Sequence, residues 1–161
     1  LREILVDLEK CVGCKTCELV CATSHSKTKQ LFSAMFENPR PRRRIFVEAT
    51  ATTNFPLMCR HCEDAPCVTA CMSAALTKDE LSGEVKLNTQ RCIGCFMCVM
   101  VCPFGVIVEN QHKAAKCDRC AEFGYPQCVL ACPTKALTFA EIPVYVKGER
   151  KKYLTNFQEK E

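Results

Sequence analysis

The sequence predicts an α+β fold of short strands, hairpins and short helices organised around bound metal rather than around a large hydrocarbon core. Three observations predict it. The 161 residues include 16 Cys but no Trp, only nine Phe and three Tyr, so the side chains that usually fill a core are scarce, and cross-links or metals are expected to replace part of it. The cysteines fall into four groups with none left over, each beginning C-x-x-C and closing C-x-x-x-C. Short runs with β character lie before, between and after the groups.

Taken in order, "EILVDL" (3–8) reads as a strand and leads into the first group, "CVGCKTCELVC" (Cys11, Cys14, Cys17, Cys21). Residues 22–58 are the longest cysteine-free spacer, with "ENPRPRRR" a proline-broken basic linker and "RIFVEA" a strand. The second group, "CRHCEDAPCVTAC" (Cys59, Cys62, Cys67, Cys71), is followed by "ALTKDELSGEVKLN", which reads as strand, polar turn around Ser82 and Gly83, and strand. The third, "CIGCFMCVMVCP" (Cys92, Cys95, Cys98, Cys102), is followed by a second hairpin pattern, "GVIVENQHKAAK". The fourth, "CDRCAEFGYPQCVLAC" (Cys117, Cys120, Cys128, Cys132), runs into a strand at "ALTFAEI" (136–142). Each closing C-x-x-x-C sets two thiols one helical turn apart, which calls for a short helix there. Residues 143–161, ending "KGERKKYLTNFQEKE", read as a charged, solvated tail outside the core.

So many cysteines mean disulfides, zinc or iron–sulfur clusters. "REILVDLEKC" has no basic n-region, apolar h-region or small-residue cleavage site. The longest nearly apolar stretch, "VMVCPFGVIV" (99–108), is about half a membrane span. The expectation is therefore a cytoplasmic protein with no membrane span, where stable disulfides are disfavoured. Zinc could use the C-x-x-C pairs as a structural module, but it does not explain a third cysteine three residues on and a fourth four residues later. A C-x-x-C-x-x-C loop can wrap one face of a 4Fe-4S cube, and in the C-x₂-C-x₂-C-x₃-C-P run the fourth cysteine ligates the other cluster of a pair. Cys102 is accordingly expected to serve a neighbouring site. Gly13 and Gly94, inside the first and third C-x-x-C turns, let the backbone close on a cluster. Pro103 and Pro133 follow the fourth cysteines of groups three and four, where Ala22 and Met72 stand in groups one and two.

The formal charge of +4 and the run "RPRRR" (40–44) raise nucleic acid binding as the competing class. Sparse aromatics and the prolines make that run a poor recognition helix, and sixteen thiolates would outweigh their cluster cores and turn the net charge negative. Catalysis has no evident constellation. Ser24, His25 and Ser26 form a reactive cluster only on paper, and His112 is a lone histidine. His61, inside "CRHC", is placed to shield or hydrogen-bond a cluster. Arg60, Lys113, Lys116 and Arg119 lie beside cysteines, where positive charge favours a reduced cluster.

The four groups, in order and spacing, resemble the four-cluster electron-transfer subunits that accompany molybdenum or tungsten oxidoreductases, formate dehydrogenases, hydrogenases and carbon monoxide dehydrogenase. The resemblance covers residues 3 to about 140. Within it, "CATSHSKTKQLF" and "RPRRRIFVEA" are most similar to the iron–sulfur partner of nickel carbon monoxide dehydrogenase. The resemblance implies two bacterial-ferredoxin-like lobes in nested arrangement, one from 1–30 plus 113–142 and the other from 44–112, within a single polyferredoxin unit. It implies iron ligation of cluster 1 by Cys11, Cys14, Cys17 and Cys132, and of cluster 2 by Cys21, Cys117, Cys120 and Cys128. Cluster 3 would be held by Cys71, Cys92, Cys95 and Cys98, and cluster 4 by Cys59, Cys62, Cys67 and Cys102. In that order they would form a wire. Some relatives lose a ligand in the third group and hold a 3Fe-4S cluster, whereas all sixteen cysteines here imply four 4Fe-4S clusters. The strands at 3–8 and 136–142 support nesting independently, since in a two-cluster ferredoxin the strand before the first motif pairs with the strand after the last. The implied role is a carrier, not an enzyme, in an anaerobic hetero-oligomeric complex with a larger catalytic redox subunit and a second electron donor or acceptor. Carbon monoxide dehydrogenase is the favoured catalytic partner, with aldehyde or formate oxidoreductase or hydrogenase as the others.

Overall fold

A computed structural model describes residues 2–158; Leu1 and the last three residues of the expected tail lie outside the described residues. The first strand, β1 (Arg2–Val6), pairs antiparallel with the last, β8 (Leu137–Glu141), with Ile4 opposite Phe139 and Val6 opposite Leu137. The termini of the motif region are thereby stitched together. Between them come α1 (Thr16–Ser24), α2 (Leu31–Met35), β2 (Ile45–Ala49), β3 (Asn54–Met58), α3 (Pro66–Thr69), β4 (Leu76–Lys78) and β5 (Val85–Leu87). Then follow α4 (Met97–Met100), β6 (Val108–Asn110), β7 (Lys113–Ala115), a 3₁₀ turn (Ala121–Phe123) and α5 (Gln127–Leu130). Among the described residues the strands form four two-stranded antiparallel ladders, β1–β8, β2–β3, β4–β5 and β6–β7.

The short helices lie where the closing C-x-x-x-C of each group requires them. In α1, Cys17 and Cys21 both point inward, one turn apart. Pro66 starts α3 at a position whose N–H would have no helical partner in any case. The four-residue helices α3, α4 and α5 each bury the third cysteine of their group, Cys67, Cys98 and Cys128.

Two buried clusters share the core. One joins Ile4, Cys17 and Cys21 with Cys128, Val129, Cys132, Ala136 and Leu137, so the outer two groups meet there. The other joins Ala65, Cys67, Leu76, Val85, Cys98, Ile107 and Ala114, from the inner two. The β2–β3 hairpin, which the sequence grouped with residues 44–112, packs instead in the first cluster through Ile45, Val47 and Met58. The cause is burial: one face of each strand is apolar, and the face it can cover belongs to α1. The expected tail departs in form, because residues 142–158 make a helix, α6 (Ile142–Gln158), that begins with Pro143 in its first turn and packs on β8. No helix among the described residues is long and apolar enough to cross a membrane.

Candidate metal centres

All sixteen cysteines are free thiols, and only Cys14 and Cys95 are exposed. Thiols far apart in sequence come together. Cys132 opposes the ionisation of Cys14. Cys71 lines one small enclosed cavity with Cys92, Cys95 and Cys98. Burial raises the pKa of Cys98, and the charges of Cys92, Cys71 and Cys95 raise it further. Cys67 is pushed up to about 11 by burial and then by Cys59, Cys102 and Cys62. Burial likewise pushes Cys128 up, with Cys117, Cys21 and Cys120 adding to it. In each of these sets the neighbours that destabilise the thiolate are other cysteines, as expected of ligand sets seen without a cationic core.

Backbone N–H groups point at several of these sulfurs. The amide of Arg44 donates to Cys21 Sγ at 3.2 Å, that of Ala114 to Cys92 at 3.5 Å and that of Arg119 to Cys117 at 3.4 Å. Cys71 accepts from the amides of Ala75 and Leu76 at 3.2 and 3.4 Å and lies 3.8 Å from Ser73 Oγ. Cys132 lies 3.8 Å from Thr134 Oγ1, and the backbone of Leu137 and Ala136 lowers its pKa against the opposing effect of burial. The stretches "CMSAALT" and "CPTKALT" thus repeat one local structure, down to a left-handed residue at Ala74 and Lys135.

Gly13 and Gly94 both have left-handed φ, +69° and +72°. A Cβ at Gly13 would meet Asn54 Oδ1 at 2.5 Å, and one at Gly94 the His112 carbonyl oxygen at 2.2 Å. A protein neighbour thus excludes a side chain at each. Asn54 Nδ2 also donates to the Cys11 carbonyl, tying β3 to the first group.

Ser24, His25 and Ser26 do not form a reactive cluster. Ser26 Oγ donates to the Thr23 carbonyl and accepts from the Lys29 amide, which is loop architecture. His25 Nδ1 lies 2.7 Å from the Cys21 carbonyl and Nε2 lies 3.0 Å from Asp118 Oδ1. Both partners can only accept, so both ring nitrogens carry protons and the ring is an imidazolium. Burial works against that charge, but hydrogen bonding to Asp118 overcomes it and raises the pKa to about 9. Asp118 is shared with Arg44 Nη1 at 2.6 Å. Asp118 escaped the sequence reading, and its only signal was its place inside the fourth C-x-x-C.

Of the basic residues beside cysteines, Lys113 Nζ donates to the Thr89 carbonyl, Arg60 to that of Ile4, and Arg119 to the Glu3 carboxylate. Lys116 is 3 % exposed, and its Nζ donates to the carbonyls of Val85 at 2.5 Å and Cys117 at 2.7 Å. Its charge favours the thiolates of Cys59, Cys67 and Cys117, and Cys59 in turn acts on Cys117. The second group therefore adjoins the fourth. The buried Lys116 side chain, on the residue before Cys117, reaches Val85 in β5 and joins the two loops, whereas the resemblance set the third group's site after the fourth's. His61 is 3 % exposed, accepts the Val85 amide on Nδ1 at 3.0 Å, and leaves Nε2 without a hydrogen-bond partner among the described residues.

The residues present fit iron–sulfur cubanes: sets of soft sulfur donors, mostly buried or half-buried, mutually repelling as thiolates and supplied with amide donors. With no oxygen or nitrogen ligand needed, such sites suit electron transfer rather than substrate binding.

Comparison with known proteins agrees. Residues 50–142 match the family model described as a 4Fe-4S dicluster domain. An iron–sulfur protein of Rhodospirillum rubrum is 37 % identical over 160 residues, covering 88 % of this chain and 83 % of that one. The electron transport protein HydN of Escherichia coli K12 is 37 % identical over 155 residues, 84 % and 86 % of the two chains. The thiosulfate reductase electron transfer subunit PhsB of Salmonella typhi is 34 % identical over 149 residues, 86 % and 75 %. In fold the chain is similar to one in the BamBC active-site complex of benzoyl coenzyme A reductase, with a TM-score of 0.50 at 19 % identity, covering 98 % of this chain and 91 % of that one.

Proposed function

The chain belongs to the 4Fe-4S dicluster domain family of iron–sulfur electron-transfer proteins, and we propose that it carries four clusters as a wire between a catalytic redox subunit and a second redox partner. Each 4Fe-4S cluster, when bound, accepts and releases one electron without making or breaking substrate bonds. The observation that supports the reading is the approach of thiols from different groups: Cys132 to Cys14, Cys71 to Cys98, Cys102 to Cys67 and Cys21 to Cys128.

The ligand sets follow the nested scheme: Cys11, Cys14, Cys17 with Cys132; Cys117, Cys120, Cys128 with Cys21; Cys59, Cys62, Cys67 with Cys102; and Cys92, Cys95, Cys98 with Cys71. In this reading the two ferredoxin-like lobes correspond to the two buried clusters, the first with the β2–β3 hairpin added. The wire ends at the first and third groups, a reading supported by the exposure of Cys14 and Cys95. The protein's part is to hold the thiolates, aim amides at them and keep water from the inner sites.

The face that would dock the catalytic subunit is α2. Ala34 anchors it, while Phe32 and Phe36 are 78 and 87 % exposed, with Leu31 and Met35 beside them. Glu37 holds the preceding loop by accepting from the amides of Lys27 and Thr28 and from Thr28 Oγ1. In the flanking sequence Lys27, Arg40, Arg42 and Arg43 are exposed, so the fitting surface is an apolar pocket with an acidic rim. This is also the segment, "CATSHSKTKQLF", that resembles the partner of nickel carbon monoxide dehydrogenase, and that enzyme is the proposed catalytic subunit.

Anaerobic purification from the native host tests both levels. About sixteen irons and sixteen sulfides per chain are expected from four cubanes, with the catalytic subunit copurifying. Roughly half that content, or a zinc protein, would overturn the four-cluster reading.

A further inference from the structure

His61 lies inside the second group's C-x-x-C turn, in left-handed conformation at φ +47°. Its ring is buried against β5, and Nδ1 accepts the Val85 amide proton at 3.0 Å. An acceptor nitrogen carries no proton, so in the neutral ring the proton is on Nε2. Nε2–H is therefore a buried donor, and it has no acceptor among the described residues. Leaving such a group unmet is destabilising, and buried donors in native proteins are almost always satisfied.

The surroundings limit what the acceptor is. Lys78 Nζ already donates to the carbonyls of His61, Cys62 and Gly83, and Lys116 Nζ to those of Val85 and Cys117. The nearby protein carbonyls are thus engaged by cations that themselves need acceptors. What the junction lacks is an electron-rich acceptor, and sulfur borne by iron is one.

We propose that His61 donates its Nε2–H to a cluster sulfur at the junction of the second and fourth groups, and so sets the potential of one inner cluster. The inference rests on the cluster reading above. His61 is a positioning residue, since it holds no iron. A hydrogen bond to sulfur stabilises the more negative, reduced state and raises the potential, which suits a site between two others that must receive an electron readily from either side.

The test begins with iron and sulfide content of the anaerobic protein, which decides the cluster reading separately. The chain has three histidines, and His25 Nδ1 lies 3.7 Å from Cys21 Sγ, so the coupling is read in a His25→Gln/His112→Gln variant, where His61 is the sole histidine. With ¹⁵N-labelled histidine, reduced in D₂O and in H₂O, that variant should show one weak nitrogen coupling and one exchangeable proton coupling on a cluster paramagnetic signal. In His61→Leu these two couplings should be lost while any from His25 remain, with one midpoint potential shifted lower and the others unmoved, and His61→Gln, which keeps an N–H donor, should recover part of the shift. A fully loaded protein with no histidine coupling, or a His61→Leu variant with unchanged potentials, overturns the proposal. If His61→Leu loses iron, the sole-histidine variant still decides, because absence of the coupling there refutes the assignment.

Discussion

Cys132 lies close enough to Cys14 to oppose its ionisation, although the two belong to the last and first groups of the chain. The β1–β8 ladder causes the approach, since Leu137 opposite Val6 carries the end of the fourth group back to the start of the first. Nested ligation then predicts that Cys132→Ser alters the same electron paramagnetic resonance signal as Cys11→Ser, and that Cys21→Ser alters the same one as Cys117→Ser. The inner pair should behave alike, with Cys71→Ser matching Cys92→Ser and Cys102→Ser matching Cys59→Ser. If Cys132→Ser instead reproduces Cys117→Ser, ligation is local and the nested scheme fails.

The two turn glycines differ in what confines them. Both left-handed positions should cost about 1–2 kcal/mol on substitution by alanine, but the obstacle at Gly13 is the Asn54 amide side chain, whereas at Gly94 it is a backbone carbonyl. Gly94→Ala is therefore expected to lower thermal stability and iron retention more than Gly13→Ala, and adding Asn54→Ala should relieve the second defect in part. Equal losses, with no relief from Asn54→Ala, would place the constraint in φ alone.

The motif-bearing parts of this fold were legible because cysteine spacing fixes local geometry: a C-x-x-x-C needs a helical turn, and β-patterned runs between groups have nowhere to pair except with each other. The elements that were missed lack such a constraint. Strand β3 carries Pro56, which removes a donor and disguises an edge strand. Helix α2 is five residues with an exposed apolar face and no capping signal. Helix α6 hides in a run of charge interrupted by Gly148. The order of the inner sites depends on where the Lys116 side chain reaches, which no spacing encodes.

The exposed aromatic face of α2 gives a third prediction. Phe32→Ser with Phe36→Ser removes two largely exposed side chains, so stability should change by no more than about 0.5 kcal/mol apiece and iron content should hold. Affinity for the catalytic subunit should fall at least tenfold. Arg42→Ala with Arg43→Ala should lower the association rate chiefly at low salt, because exposed charges are screened as ionic strength rises. Unimpaired complex formation by the phenylalanine variant would remove α2 from the interface.

Lys116→Met offers the sharpest test of site order. The side chains are similar in length, so the change removes a buried positive charge and two donors while keeping most of the packing, although the Val85 and Cys117 carbonyls lose a partner. Because the ammonium favours the charged forms of Cys59, Cys67 and Cys117, its loss should make reduction harder at the two sites those thiols serve. Potentiometric titration should show two midpoint potentials moving down together, those of the second- and fourth-group sites, with the sites at Cys14 and Cys95 nearly unmoved. A shift confined to the third and fourth groups would restore the order read from the sequence, and it would mean that Lys116 acts across a junction other than the one it bridges between Val85 and Cys117.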